Sequence, residues 1–423
     1  MELVVLILKI YLSLTALVMV VYFIRHFTFT LNRLVGRQRI YYQDILDSEL
    51  PSVSVFIPMH NEEKVAADIL DLLISSDYPQ DKLEIIPIND HSSDKTKTIL
   101  NRYSRKFPLI KPLHRSKGSR GKPAGLNEAI QNAVGEIAIV FDADYLPPKG
   151  ILRDMVVAFK DPEVGAMMGR VIPKNTPKNL LTRLLDLERS SGYQIDQQAR
   201  YNLRLIPQYG GTVGAFRREL FLTLGGFDED ILAEDTELTY KLFVKGWKVI
   251  YASRVECYEE APEEWPVRAR QIKRWSRGHS QVMFKYFWPL LTSSHISALE
   301  KIDGALLLFI YSVPFLISLG IFASLILFFL GEMQLIESLL LFLFVVAYNT
   351  FGNFAPFNQL GIATLIDGST HRIRLIPLIF FVFVFNLWYT TLGFINAALD
   401  VLFKREILWQ KTDRFRAVSG GPG

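Results

Sequence analysis

The sequence is poor in cysteine and carries little net charge. Its 423 residues include a single cysteine, Cys257, so no disulfide bond can form within the chain. The formal net charge is only +4, which is too small to indicate a nucleic-acid partner. The chain also lacks internal repeats and low-complexity stretches. These absences exclude a disulfide framework and fit a globular part that faces the cytosol.

Apolar residues make up 50% of the chain, and the excess over an ordinary soluble enzyme lies in two regions. The first is residues 3–24, a run interrupted only by Lys9 and long enough to cross a bilayer. A cleaved signal peptide is the alternative, but the run exceeds a normal signal-peptide core and no small-residue cleavage site follows it. The run is followed by the basic residues Arg25, Arg33, Arg37 and Arg39. The positive-inside tendency therefore places this flank in the cytoplasm, next to anionic membrane lipids, and the N-terminus outside.

The second apolar region begins near residue 304. Residues 304–330 are long enough to span a bilayer, residues 338–351 continue as a further span, and residues 376–402 form another. Three spans after a cytosolic domain would place the basic C-terminal tail outside, against the positive-inside tendency. Either residues 351–366 therefore cross the membrane as well, or one segment lies in the interface. We favour a cytosolic tail under both arrangements.

Between these regions the chain has an ordinary globular composition and alternates predicted strands with predicted helices. Such alternation is typical of a doubly wound, mainly parallel α/β sheet. The predicted strands are residues 52–58, 83–88, 137–141, 164–172 and 247–252, and a long helix is predicted over residues 179–201. A basic loop at residues 117–122 lacks the spacing and the following Ser or Thr of a phosphate-binding loop, so we reject that interpretation.

The strand at residues 137–141 ends in the acidic sequence Asp142-Ala143-Asp144. Residues two apart in an extended chain point the same way, so two carboxylates project together from the carboxyl edge of the sheet, where open α/β folds bind ligands. Mg²⁺ and Mn²⁺ prefer oxygen ligands, and Mg²⁺ usually completes its shell with substrate phosphates. The pattern favours a site for a metal ion and a diphosphate. A polar turn that caps the strand is the structural alternative.

An amphipathic helix is predicted over residues 262–288. Within it Gln271, Arg274 and Trp275 are spaced i, i+3 and i+4 and therefore share one face. A guanidinium beside an indole suits an anionic leaving group and a sugar ring. A basic membrane-surface helix with a tryptophan anchor is an equally good interpretation of the composition.

Four motifs in chain order resemble a known family. They are Asp90, Asp142-Ala143-Asp144, Ala233-Glu234-Asp235 and Gln271-x-x-Arg274-Trp275. This set resembles the D, DxD, TED and QxxRW signature of processive membrane glycosyltransferases of family 2, the class of cellulose, hyaluronan and poly-N-acetylglucosamine synthases. Two positions depart from the signature, because Ala233 replaces the usual Thr and Asn89-Asp90-His91-Ser92 replaces the usual DDGS turn. Both departures keep the acidic residue that the family uses.

The resemblance implies a GT-A fold and a role for each matched residue. Asp235 is the implied general base of an inverting transfer, although acids at the start of a helix also have a purely structural explanation. Asp142 and Asp144 are the implied ligands of Mg²⁺ or Mn²⁺. The nucleotide-sugar is expected to contact Glu62, Asp90, Lys122, Asp142, Gln271 and Arg274. The acceptor is expected to contact Gly211, Thr212, Glu234 and Trp275.

We expect five segments along the chain. They are a transmembrane helix at residues 1–25, a cytosolic GT-A domain at 50–260, amphipathic interface helices at 261–300, a transmembrane region at 301–403 and a basic cytosolic tail at 404–423. The tail segment 409–414 resembles the gating loop that covers the nucleotide in this family. Polar residues inside the last span, Asn386, Tyr389 and Asn396, indicate either a substrate path or ordinary contacts between helices.

The leading hypothesis is a plasma-membrane enzyme that polymerises a UDP-sugar into a β-linked polysaccharide and moves the product across the membrane. The first alternative keeps the fold and metal site but transfers one sugar to a lipid such as a polyprenyl phosphate or a glycerolipid. The second is a scaffold or glycan-binding protein without activity, which the retained acidic positions disfavour. Because the predicted helices are few for a wide pore, self-association or an accessory subunit is a further expectation.

Overall fold

The computed structural model describes residues 1–40, 45–332 and 354–403. In this part of the chain a seven-stranded sheet has the order β3-β2-β1-β4-β6-β5-β7. Its strands are β1 (Val53–Met59), β2 (Leu83–Asp90), β3 (Leu113–Arg115), β4 (Ile137–Val140), β5 (Val164–Pro173), β6 (Gly214–Arg217) and β7 (Lys248–Glu259). The prediction of a mainly parallel α/β sheet is confirmed, because only β6 runs antiparallel to its neighbours β4 and β5.

The parallel half of the sheet follows directly from sequence. Strands β1, β2 and β4 are nearly continuous apolar runs, and such runs occur where helices cover both faces of a sheet. Val55 of β1 lies between Ile85 of β2 and Ile139 of β4, and all three are fully buried. The carboxyl ends of these three strands therefore lie at the same edge of the sheet.

Helices connect and cover the strands. In the catalytic part they are α2 (Ala66–Ile74), α3 (Thr96–Lys106), α4 (Lys122–Gln131), α5 (Ile151–Val156), α6 (Leu180–Ser191), α7 (Gln198–Asn202), α8 (Arg218–Thr223), α9 (Glu234–Phe243) and α10 (Trp265–Thr292). The long helix expected at residues 179–201 is interrupted, because Gly192–Gln197 forms a π-helical segment between α6 and α7. Such segments are common at functional sites. The strand expected at 247–252 continues to Glu259, since its partner β5 extends to Pro173.

Among the residues that the structure describes, two helices are long and apolar enough to cross a membrane. They are α1 (Glu2–Val35) and the stretch Thr370–Phe403, which ends in the helix Ile379–Phe403. Helix α1 continues beyond the predicted span, and near its C-terminal end Asn32 accepts a hydrogen bond from Asn202 of α7 at 2.7 Å. This long apolar helix is therefore attached to the α/β part of the chain.

The span expected at residues 304–330 is not one straight helix. It consists of α11 (Ala298–Phe309) and α12 (Val313–Phe329), which are bent by 63° at a break. Pro314 lies in the first turn of α12, and proline cannot continue a helix through its own amide because it lacks the N–H group. Apolar composition predicted a single span because it does not register the break between the two helices. The predicted span 338–351 and the tail 404–423 with its proposed gating segment lie outside the described residues.

The remaining apolar helices pack on the α/β part of the chain. Helix α13 (Phe354–Ile366) is apolar but shorter than a membrane span, and α14 (Ile379–Phe403) lies along α10. Arg277 of α10 forms an ion pair with Asp400 of α14, and Ser276 donates to the carbonyl of Thr390 at 2.7 Å. The helix that carries the Gln271 motif is thus fixed to the long apolar helix α14.

Candidate active site

A cavity of about 680 Å³ opens at the carboxyl edge of the parallel strands. Its lining includes nearly every site residue that the sequence predicted: Glu62, Asp90, Lys122, Asp142, Asp144, Thr212, Glu234, Asp235, Gln271, Arg274 and Trp275. Gly211 is behind the surface, where its carbonyl accepts a hydrogen bond from Lys122 at 2.8 Å. The fold therefore brings together segments spread over more than 200 residues of sequence.

The turns after β1 and β2 hold each other in place. Asn61 and His91, one in each turn, adopt positive φ angles of 54° and 56°, which are uncommon for residues with a side chain. The Asn61 side chain accepts from the backbone N–H of Ser93 at 2.8 Å, and the Glu62 N–H donates to Thr96 at 2.9 Å. These bonds position Glu62 in the cavity wall.

Asp90, at the end of β2, already accepts three hydrogen bonds. Its Oδ1 accepts from Arg115 at 2.6 Å and from His91 at 2.8 Å, and its Oδ2 accepts from the N–H of Gly121 at 2.8 Å. A carboxylate has about four lone-pair positions, so capacity for roughly one further donor remains. Arg115 also donates to Glu128 of α4 at 2.8 Å. Arg115 was not predicted as a site residue, because nothing near β3 in the sequence indicated that it would reach Asp90.

Lys122 is the central cation of the site. Its ammonium donates to Asp142 at 2.9 Å and lies 3.3 Å from Glu234. Burial alone would lower the pKa of Lys122, but the negative charges of Asp142 and Glu234 outweigh burial and raise it. Lys122 therefore stays charged and links the DxD motif to the start of α9.

Asp142 and Asp144 follow β4 and face the cavity. The N–H of Asp142 donates to the Thr212 hydroxyl at 3.2 Å, which fixes the turn, and the Asp142 side chain is one-third exposed. The described residues contain no cluster of three or more His, Cys, Asp or Glu side chains that could hold a metal ion alone. Two carboxylates beside open space fit a hard divalent cation that completes its shell with water and phosphate oxygens.

Glu234 and Asp235 form the first turn of α9, where the helix dipole favours acids. The N–H of Thr236 donates to Asp235 Oδ1 at 2.6 Å. Burial raises the pKa of Asp235 above its usual range, although this bond and the charge of Lys122 lower it. Burial also raises the pKa of Glu234, against the charge of Lys122. A carboxylate with a raised pKa is a stronger base than an ordinary aspartate.

Close packing holds Asp235 from two sides. Gly211 has φ +69°, and a Cβ at that position would lie 2.9 Å from the Asp235 Cβ. A Cβ on Gly278 of α10 would lie 2.7 Å from the backbone nitrogen of Ala233. Glycine at both positions lets the backbone approach the acidic motif, and Ala233 lies against α10 at the place where the family signature has Thr.

The predicted face of α10 lines the cavity, but its residues have protein partners. Gln271 accepts a hydrogen bond from Arg268 at 2.9 Å. The guanidiniums of Arg189 and Arg268 lie 5.0 and 5.4 Å from the centre of the Trp275 ring, within the range of cation–π attraction. These contacts were not predicted, since Arg189 belongs to α6 and its proximity depends on tertiary packing.

The cavity continues toward the apolar C-terminal helices. Its far wall includes Tyr311 in the break between α11 and α12, Gln359 of α13, and Phe383 and Thr390 of α14. His279, four residues after Trp275 and hence on the same face of α10, also lines it. The i+4 spacing is a signal that could have identified His279 from sequence.

Comparison with known proteins gives the family of the chain. Residues 51–278 match the family described as glycosyltransferase like family 2. The chain is 31% identical over 384 residues to a probable glycosyltransferase, YdaM, of Bacillus subtilis, covering 88% of this chain and 89% of that protein. It is 27% identical over 364 residues to the poly-beta-1,6-N-acetyl-D-glucosamine synthase of Staphylococcus epidermidis, covering 84% of this chain and 83% of that protein.

Two further similarities concern a lipid-modifying enzyme and a solved structure. The chain is 31% identical over 266 residues to a beta-monoglucosyldiacylglycerol synthase of Synechocystis, covering 62% of this chain but only 55% of that protein. A mannosyltransferase of Pyrobaculum calidifontis, solved with GDP-Man and Mn²⁺, matches with a TM-score of 0.59 at 22% identity, covering 85% of this chain and 98% of that one. The second similarity concerns the fold alone.

Proposed function

Because the chain belongs to glycosyltransferase family 2, we propose that it polymerises a UDP-sugar into a β-linked glycan and passes the glycan across the membrane. The observation that carries this proposal is the continuity of the cavity. The same cavity contains the strand-end acids Asp142 and Asp144 and side chains of three membrane elements, α13, α14 and the α11–α12 break. An acceptor that grows by one sugar at a time requires such a continuous path.

The donor nucleotide binds at the carboxyl ends of β1 and β2. Asp90 has capacity for roughly one more hydrogen-bond donor, such as the imide N–H of a pyrimidine base. Glu62 lies in the same wall, and Lys122 provides positive charge beside the diphosphate. Open α/β sheets bind nucleotides at this edge.

Mg²⁺ or Mn²⁺ fits the acidic pair, and Asp142 and Asp144 are the residues that would hold it. When bound, the metal ion supplies Lewis-acid stabilisation of the negative charge on the departing diphosphate. Lys122 contributes to the same electrostatic task from the protein side, since it stays charged between Asp142 and Glu234.

Asp235 acts as the general base. It removes the proton from an acceptor hydroxyl while that oxygen attacks the anomeric carbon, and the bond from this carbon to the diphosphate oxygen breaks. UDP leaves with the bonding electron pair. One displacement inverts the anomeric configuration, so an α-linked donor yields a β-glycoside.

The face of α10 closes the site. Arg274 lies near enough to Asp235 for its charge to lower the pKa of that carboxyl, and we assign it, with Gln271, to the donor diphosphate. Trp275 provides an aromatic surface for the terminal acceptor sugar. Glu234, Gly211 and Thr212 shape the acceptor side of the site around Asp235.

A second function is favoured by the apolar part of the cavity wall. Leu307, Ile310, Leu360, Ile379 and Phe383 line the membrane end, which suits the acyl chains of a lipid acceptor. The similarity to a beta-monoglucosyldiacylglycerol synthase, which covers 62% of this chain, supports this alternative. The polymer-forming relative, in contrast, is similar over most of both chains, and we therefore rank the polysaccharide first.

We place the enzyme in the plasma membrane with its catalytic part in the cytosol, as the arginines after the first apolar run favour. Two helices of the described residues, or three if the bent pair α11–α12 counts as one, are long enough to span the membrane. A second copy or an accessory subunit would complete a path for a polysaccharide. Chemical cross-linking of the protein in native membranes tests for such a complex.

The test uses purified protein in membranes with a panel of radiolabelled UDP- and GDP-sugars and either Mg²⁺ or Mn²⁺. Products are sized on gels and partitioned into organic solvent, with Asp235→Asn as the inactive control. High-molecular-weight product from one donor supports the polymerase. A single lipid-soluble product overturns it in favour of the glycolipid synthase, and failure to bind either UDP or GDP with Mn²⁺ overturns both.

A further inference from the structure

His279 lies on α10 at the junction between the proposed base and the membrane helices. Its ring stacks on Tyr311, with ring centres 4.5 Å apart and planes 20° from parallel. Tyr311 belongs to the break between α11 and α12, where the bent pair turns by 63°. The stack fixes the plane of the imidazole and points one edge of it at Thr236, the residue after Asp235.

The Thr236 hydroxyl has three polar neighbours. Gln208 Nε2 donates to it at 2.8 Å, His279 Nδ1 lies at 3.0 Å and Nε2 at 3.5 Å, and Asp235 Oδ1 lies at 3.3 Å. A hydroxyl has one proton to donate. That proton therefore goes either to the imidazole or to the carboxylate, and the shorter distance favours the imidazole.

We propose that His279 is a positioning residue for Asp235, because its Nδ1 accepts the Thr236 proton and keeps that proton from the carboxylate. The inference rests on the proposed role of Asp235 as the base. A carboxylate that accepts fewer hydrogen bonds is less stabilised as an anion and is a stronger base. Of the two donors of Thr236, only the backbone N–H then donates to Asp235 Oδ1.

Burial supports the required state of the imidazole. It lowers the pKa of His279 to about 3, so the ring is neutral at working pH and one of its nitrogens can accept. Thr236 and Tyr311 are the polar and aromatic groups that contact the ring. The titratable groups that act on Asp235 or feel its charge are Lys122, Tyr193, Tyr209, Glu234, Arg274 and Tyr311.

The test compares His279→Phe with His279→Asn. Phenylalanine keeps an aromatic ring against Tyr311 but removes both nitrogens, so the Thr236 hydroxyl turns to Asp235. We expect kcat to fall about fivefold, the acidic limb of the kcat–pH profile to move to lower pH, and the donor KM to stay unchanged. Asparagine can accept through its amide oxygen and should restore most of kcat and the original limb. His295→Phe, on an exposed loop, is the matched control.

A double mutant separates this role from a structural one. In Thr236→Val the hydroxyl is absent, so adding His279→Phe should change the position of the acidic limb no further. An unchanged profile in His279→Phe overturns the inference, as does equal loss in the Phe and Asn variants without a shift of the limb. Asp235→Asn separates this inference from the proposed function. Normal turnover in Asp235→Asn overturns the role of Asp235 as the base. Lost turnover in Asp235→Asn together with unchanged kinetics in His279→Phe overturns only the role of His279.

Discussion

The two ends of the cavity are built in different ways. At the proposed nucleotide end the contacts join elements close in sequence. Asp90 of β2 accepts hydrogen bonds from Arg115 of β3, 25 residues away, and from Gly121 just before α4, 31 residues away. At the acceptor end they join remote parts of the chain. His26 of α1 and Gln359 of α13, which both line the cavity, lie within 2.5 Å of each other across 333 residues. Asp303 of α11 contacts the lining residue Arg200 and accepts a hydrogen bond from Arg25 of α1 across 278 residues. The nucleotide end is therefore a property of the sheet, whereas the acceptor end depends on how the membrane helices dock.

The two ends also differ in how they treat charge. Asp90 and Asp142 retain contact with the cavity and keep room for a ligand, whereas the Arg25–Asp303 pair is buried, with side chains only 4% and 7% exposed. A buried pair gains attraction but costs desolvation, and removing one partner leaves an uncompensated charge. Substitutions at the acceptor end should therefore affect both chemistry and stability, and those at the nucleotide end mainly donor affinity.

The largest effect is expected for Asp235→Asn. The amide keeps the shape of the side chain but cannot accept a proton, so kcat should fall about 1,000-fold, while UDP affinity measured by calorimetry stays close to wild type. Asp154→Asn, on α5 away from the cavity, is the control. Retained turnover in Asp235→Asn would show that another group removes the acceptor proton.

A large loss of stability is expected for Asp303→Ala. This change leaves the guanidiniums of Arg25 and Arg200 without the carboxylate between them and should lower the free energy of unfolding by about 3 kcal/mol. Thermal unfolding in detergent measures it. Glu49→Ala breaks the exposed pair with Lys160 and should cost less than about 1 kcal/mol. Equal costs in the two variants would contradict the contrast in burial.

A smaller and more specific effect is expected for Arg115→Met. Asp90 would lose its shortest hydrogen bond and the orientation that leaves capacity for the base. The donor KM should rise about tenfold with kcat nearly unchanged, since a charged hydrogen bond contributes about 1.5–3 kcal/mol. Arg102→Met, exposed on α3, should leave KM unchanged. A fall in kcat at constant KM would place Arg115 in the chemical step instead.

The smallest expected effect is on the pH dependence of kcat. Burial raises the pKa of Asp235, and a general base acts only when unprotonated. The rate should therefore decline as pH falls through this raised value and be constant above it, with the acidic limb above the ordinary aspartate pKa of about 3.9. A kcat–pH profile at saturating donor measures the limb, and UDP binding over the same range controls for loss of the nucleotide. A limb at or below the ordinary value would contradict the burial argument.

Local patterns were sufficient for the parallel strands and for the order of the acidic motifs. Uninterrupted apolar runs report burial on both faces of a sheet, and a strand carries the residues at its end to a known edge. The amino-acid sequence alone therefore placed Asp142 and Asp144 at the carboxyl edge of the sheet, and the family resemblance added Asp90 to the same site. The i, i+3, i+4 spacing similarly placed Gln271, Arg274 and Trp275 on one face of α10.

Packing between distant segments supplied the rest. The bend between α11 and α12, the π-helical segment, Arg115 beside Asp90, and His279 between Tyr311 and Thr236 have no signal in local hydropathy. Periodicity records whether a side chain meets water or protein, averaged over its own element. It contains no information on which remote group that side chain contacts, and the geometry around Asp235 depends on those contacts.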